Sequence, residues 1–134
     1  MPNDVETFPV RTGEDVVRAR QIVRSRATEV GFSLVEQTKI VTAASELARN
    51  AVIYGGGGEM RIERVLQAGK RPGLRLVFED QGPGIADIEL ALRDGFTTGN
   101  GLGLGLNGAR KLCHEFDIQS KPGQGTRVTI TRWK

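Results

Sequence analysis

Residues 95–108 read GFTTGNGLGLGLNG, with Gly101, Gly103 and Gly105 alternating with Leu102, Leu104 and Leu106. An apolar-periodic run continues to Phe116, so a helix is expected directly after the glycines, ending near Glu115. Glycine at this spacing lets backbone N–H groups approach a bulky anion with no side chain in between. A helix starting behind it adds unpaired N–H groups and the positive end of a dipole, and phosphate suits both. Taken alone, the stretch reads equally well as a surface loop. Two motifs upstream tip the balance.

The first is SELARN, residues 45–50, inside a long apolar-periodic segment. Glu46 and Asn50 are four apart and project from one face of a helix, one turn above the other. An Asn carbonyl is a hard oxygen ligand of the kind Mg²⁺ takes while drawing the rest of its shell from water and substrate phosphates. A Glu one turn away is placed to accept a proton from an incoming hydroxyl. In isolation, the same pair is a solvated helix face. The second motif is Asp80-Gln81-Gly82-Pro83-Gly84, at the end of an apolar strand. An acid there accepts hydrogen bonds from an exocyclic amine, and the glycines leave room for a flat ring. D-x-G-P-G is also ordinary turn chemistry.

Two competing motifs fail on context. Gly103-x-Gly105-x-x-Gly108 fits the dinucleotide fingerprint as written, but GFTTGN before it is no strand, and the following acids, Glu115 and Asp117, come too soon. No Gly-Lys-Ser/Thr follows the glycines, and no HRD-like or DFG-like segment is present, which excludes a Walker A loop and an ordinary protein kinase.

In chain order, a strand over 5–12 with an edge character is followed by a helix capped by Thr12 or Asp15 and stopped at Gly31. Ser33 and Glu36 form a capping box for the helix carrying SELARN, which Gly55–Gly58 ends. Strands over 60–66 and 74–80 make a hairpin, and 85–93 forms a short helix or turn. Strands over 117–121 and 126–133 make a second hairpin. The order β α α β β α β β predicts an α/β two-layer sandwich, with helices on one face of a mixed, mostly antiparallel sheet. At 134 residues, one domain is expected, spanning 1–134.

The net charge of +3 is concentrated at the C-terminal end, where residues 102–134 hold six Lys/Arg against two Asp/Glu. That surplus favours phosphate ligands or acidic partners and falls short of the clustering a nucleic-acid surface needs. The lone Cys113 precludes an internal disulfide and is expected as a small buried hydrophobe. His114, the sole histidine, has no companions for a zinc site or a Ser-His-Asp arrangement. With no basic-then-apolar start and no long apolar run, a cytoplasmic protein without membrane contact is expected.

Together, E-x-x-x-N on a helix, D-x-G-x-G after a strand and G-x-G-x-G before a helix resemble the GHKL superfamily of ATP-binding domains (the Bergerat fold). The resemblance spans nearly the whole chain. It implies that Asn50 ligates Mg²⁺, that Asp80 binds the adenine amino group, and that Gly82 and Gly84 flank the base. It further implies that Thr98, Gly101, Gly103 and Gly105 hold phosphates under a lid running from about Ile85, and that Thr126 contacts the nucleotide. Glu79 stands beside Asp80, and only the glycine spacing assigns the pocket position to Asp80. Within the superfamily, SELARN, EDQGPGI and GFTTGNGLGLGL resemble the small serine/threonine kinases of bacterial partner-switching systems, especially the stressosome switch kinases. Glu46 would then be the base, ATP and Mg²⁺ the cofactors, STAS-domain scaffold or antagonist proteins the substrates, and a PP2C-type phosphatase regulator a second partner. Tyr54 departs from the His that anti-sigma kinases often carry there. The alternatives are an anti-sigma factor kinase and a non-catalytic, nucleotide-stabilised binding switch.

Overall fold

The first helix begins where the Thr12 hydroxyl accepts a hydrogen bond from the Asp15 N–H at 3.2 Å, while Asp15 Oδ2 accepts from the Arg11 N–H at 2.9 Å. It ends at Gly31, whose φ of 98° is left-handed. There the N–H groups of Gly31 and the buried Phe32 return to carbonyls of the last turn, which closes the helix. Two residues later, the predicted capping box is present: Glu36 N–H donates to Ser33 Oγ, and Ser33 N–H donates to Glu36 Oε1. These two caps set the helical hairpin from which the candidate site is built.

A computed structural model describes residues 5–85, 87–92 and 105–134. Its elements are β1 (Val5–Val10), α1 (Gly13–Val30), α2 (Leu34–Ile53), β2 (Gly58–Gln67), β3 (Arg71–Asp80), the one-turn α3 (Ile88–Ala91), α4 (Leu106–Lys111), β4 (Glu115–Ser120) and β5 (Thr126–Trp133). The strands form one sheet in the order β1-β2-β3-β5-β4, with β1 at the edge as its proline suggested. The two-layer sandwich is as expected, and all four strand pairings described are antiparallel, so no parallel pair makes this part of the sheet mixed.

The core lies between the helices and one face of the sheet. Ala43, Ala44, Ala48 and Ala51 give α2 a flat, small-residue face, and Ile40 and Leu47 fill the gaps against Met60, Ile62, Leu76, Phe78 and Ile130. Alternation puts the odd-numbered residues of β3 and β5 on the opposite face. There Glu79 pairs with Arg127 at 3.4 Å, and Arg75 Nε donates to Thr131 Oγ1 at 3.2 Å.

Most expected boundaries shift by a few residues, β1 ending at Val10 and β2 and β3 beginning at Gly58 and Arg71, and one shift is instructive. The helix after the glycines stops at Lys111, not near Glu115, and β4 begins at Glu115. Arg132 Nη1 takes the Leu112 carbonyl at 2.8 Å, and His114 N–H starts the sheet ladder on the Thr131 carbonyl at 2.9 Å. Leu112 and Phe116 both pack on the core, one from a helix end and one from a strand. Their four-residue spacing mimics a continuing helix.

The Trp133 N–H donates to His114 Nδ1 at 2.9 Å, which requires a neutral ring protonated on Nε2. Burial, followed by the nearby charges of Arg132 and Arg71, holds His114 below its ordinary 6.5, against the opposing pull of Glu36 and Glu115. The unfolded chain therefore takes up this proton first; the associated stability is full above 6.5 and is lost as the pH falls below it. Denaturant midpoints measured from about pH 7.5 down to 5 should show that loss in the wild type and a flatter profile in His114→Gln. An unchanged profile in the variant would assign the dependence elsewhere.

Candidate active site

The site forms where the C-terminal half of α2, the end of β3 and the start of α4 meet. Asp80 is the last residue of β3, in register with Gly58 on one side and Thr126 on the other. Strand alternation settles the choice between the neighbouring acids: Glu79 points to the opposite sheet face, toward Arg127, and Asp80 toward the helices. The Gly82 N–H donates to Asp80 Oδ1 at 2.9 Å. Burial raises the carboxyl above its ordinary 3.8, while N–H donors from Gly82 and Thr126 pull it back down and Glu79 adds a small upward push. The result is a half-buried acceptor with its backbone partners in place.

Glycines make this seat possible. A Cβ at Gly55, just past α2, would lie 2.3 Å from Asp80 Cγ and 2.6 Å from Asp80 Cβ. A Cβ at Gly82 would lie 2.6 Å from Gly55 Cα. Gly84, at φ 78°, and Gly125, at φ 80°, would meet the Lys121 and Asp80 carbonyl oxygens respectively, each at 2.1 Å. The D-x-G-P-G loop thus lies directly on the turn between β4 and β5.

At the other end, Glu46 reaches Gly105, the last of the three glycines that alternate with leucine. Gly105 sits at the N-terminus of α4 with φ 68°, and a Cβ there would lie 2.5 Å from Glu46 Oε1. Arg49, one turn along, holds Glu46 Oε2 at 3.1 Å. Asn50 is four residues on from Glu46, toward Gly55, and its main-chain carbonyl accepts from the N–H groups of both Tyr54 and Gly55. Asp80, Gly82, Gly84 and Thr126 therefore gather at one end of α2, and Glu46 and Gly105 meet further back along it. Thr98, Gly101 and Gly103 lie outside the described residues.

A cavity of about 520 Å³ opens beside Asp80 at the ends of β3, β4 and β5; its lining runs from Ile118, Ser120 and Thr126 round to Glu79 and Arg127 and includes no described residue of α2. Its volume is in the range of small-molecule sites. Sequence reasoning passed over two participants. In the sequence Gly55 looks like a helix stop, and Ser120, bonded to Ile85, Gly125 and Thr126, has no role assigned to it.

A two-layer sandwich with an acid at a strand end, walled by glycines beneath a helix bearing E-x-x-x-N, defines an ATP-binding class. The sequence signature of the histidine kinase-, DNA gyrase B-, and HSP90-like ATPases matches residues 35–134, and the chain belongs to that family. Within it, the chain is 47% identical over 131 residues to the serine/threonine-protein kinase RsbT of Bacillus subtilis (strain 168), covering 98% of each chain. It is also 30% identical over 118 residues to an anti-sigma F factor of Thermoanaerobacter sp. (strain X514), covering 86% of this chain and 82% of that one. Among solved structures, the RsbU and RsbW domains of Rv1364c from Mycobacterium tuberculosis share the fold at a TM-score of 0.66 and 23% identity, over 98% of this chain and 33% of that one.

Gly55 has no left-handed φ, and the atoms an alanine Cβ there would meet first all belong to the Asp80 side chain. The clash includes Asp80 Cβ, which no side-chain rotation moves away. Gly55→Ala should weaken ATP binding by about tenfold or more, by analogy with losing a hydrogen bond to a charged acceptor. Calorimetric titration checks this, with circular dichroism to establish that the variant is folded; unchanged affinity would show that Asp80 is not needed where it stands.

Proposed function

We propose that the chain is a Mg²⁺- and ATP-dependent serine/threonine protein kinase, acting as one domain in a bacterial partner-switching stress-response pathway. The observation that carries this is the seating of Glu46 against Gly105, the end of the glycine stretch assigned to the phosphates. Asp80, assigned to the base, stands at the opposite end of the site. A carboxylate near the transferred phosphoryl group has no purpose in nucleotide binding alone, which favours an enzyme over a binding switch.

In this reading, Asp80 accepts from the adenine amino group, and Thr126 and the D-x-G-P-G glycines fix the plane of the base. Asn50, an uncharged oxygen ligand, suits a Mg²⁺ ion that takes its remaining ligands from phosphates and water. Mg²⁺ would supply charge neutralisation on the phosphates. Glu46 takes the proton of the acceptor serine or threonine as its oxygen bonds to the γ-phosphorus and the bond to the bridging oxygen breaks, releasing ADP. Arg49 keeps the Glu46 carboxylate in one orientation.

The 47% identity to a protein named serine/threonine-protein kinase RsbT supports this reading. The substrates are STAS-domain scaffold or antagonist proteins, after which the kinase binds and activates a PP2C-type phosphatase regulator. No helix among the described residues is long and apolar enough to cross a membrane. A cytoplasmic location, without nucleic-acid or membrane binding, completes the proposal. A second reading, an anti-sigma factor kinase, draws on the 30% identity to an anti-sigma F factor.

The deciding assay is transfer from labelled ATP to a STAS-domain protein of the same genome, with and without EDTA. Metal-dependent label on serine or threonine is expected; tight ATP binding with no label on that protein or on an anti-sigma antagonist would leave only the binding switch. Asn50→Asp and Asp80→Asn should each abolish transfer. Glu46→Gln should lower turnover by about 10²-fold or more while ATP affinity stays within twofold. Loss of ATP binding by Glu46→Gln would make that residue structural.

A further inference from the structure

Ser120 ends β4 on the sheet face that carries Asp80, and three groups converge on its hydroxyl. The Ile85 N–H lies at 2.8 Å, the Gly125 carbonyl at 2.9 Å and the Thr126 hydroxyl at 2.8 Å. A serine hydroxyl has one proton to give and two lone pairs to accept with. Donation to the Gly125 carbonyl uses the proton, so the lone pairs take the Ile85 N–H and the Thr126 O–H. Every bond available to Ser120 is made.

The surroundings show what this joins. Thr126 is also the register partner of Asp80 across the β3–β5 pair. The Gly123 N–H donates to the Pro83 carbonyl at 2.7 Å, and the backbones at Gly84 and Gly125 approach their neighbours more closely than any Cβ allows. Two separate stretches, 82–85 and 121–126, are thus laid against each other around Asp80. Ser120 bonds to both stretches, through Ile85 on one side and through Gly125 and Thr126 on the other.

We propose that Ser120 is a positioning residue for nucleotide recognition: its hydroxyl ties Ile85 to Thr126, and through Thr126 to Asp80, fixing the two walls of the base site relative to each other. Having spent its own proton on Ser120, the Thr126 hydroxyl turns lone pairs toward the nucleotide and acts there as an acceptor. The inference rests on the ATP-binding role proposed above. Removing the hydroxyl leaves the Ile85 N–H and the Gly125 carbonyl without this partner. It also frees the Thr126 hydroxyl to turn away.

The test compares Ser120→Thr with Ser120→Val, which have the same shape and differ by the hydroxyl alone, together with Ser120→Ala. ATP affinity is measured by calorimetry, exchange of the Ile85 amide by NMR, and KM for ATP in the transfer assay. Ser120→Val and Ser120→Ala should bind ATP about tenfold more weakly, with the loss in KM for ATP rather than kcat. Their Ile85 amide should exchange at least tenfold faster. Ser120→Thr should restore both. Thr and Val variants that match each other in ATP affinity and in Ile85 exchange would overturn the role of Ser120, provided the wild type binds ATP. A wild type that binds no ATP would instead remove the reading on which it rests.

Discussion

The site depends on one constraint: a carboxylate must be held half out of water with its acceptor side open. Asp80 meets it through strand geometry and glycine. Its register in the sheet points it toward the helices, the Gly82 N–H satisfies one oxygen, and Gly55 gives up its side chain to make room. Burial raises the carboxyl toward its neutral form, and the two backbone donors work against that. Without them, the acid would lean toward a proton and lose its value as an acceptor.

The helical layer serves the same geometry. A helix closed at Gly31 and reopened within two residues by a capping box fixes the phase of α2, so Glu46 meets Gly105 while the alanines are buried in the core. The two ends of α2 then do different work: Gly55 walls Asp80 at its C-terminus, while Glu46, two turns back, meets the start of α4. In the proposed kinase, that separation keeps base recognition apart from phosphoryl chemistry.

Much of this was legible in the sequence because the signals are local. The Ser33–Glu36 cap, Gly31, the hairpin strands and the two-layer order depend on neighbours a few residues away. Three features were not legible. The end of α4 is set by Arg132 and by the Thr131 carbonyl, about twenty residues downstream, while the apolar spacing from Leu112 to Phe116 imitates a continuing helix. Gly55 looks like any helix terminator until β3 brings Asp80 against it. Ser120 acts only through contacts made by folding, and a serine near a strand end has no signature of its own. Between Glu79 and Asp80 the glycine spacing already favoured Asp80, and strand alternation turns Asp80 toward the helices.

The most direct measurement of the central claim compares the affinities of ATP and inosine triphosphate under identical Mg²⁺ conditions. Inosine triphosphate keeps the phosphates and the ribose but replaces the amino group at ring position 6 with a carbonyl oxygen. If Asp80 is the acceptor for that amine, its half-buried carboxylate then faces another acceptor, and affinity should fall by about tenfold to a hundredfold. Equal affinity for the two nucleotides would contradict the account, because it would mean that Asp80 does not read the base.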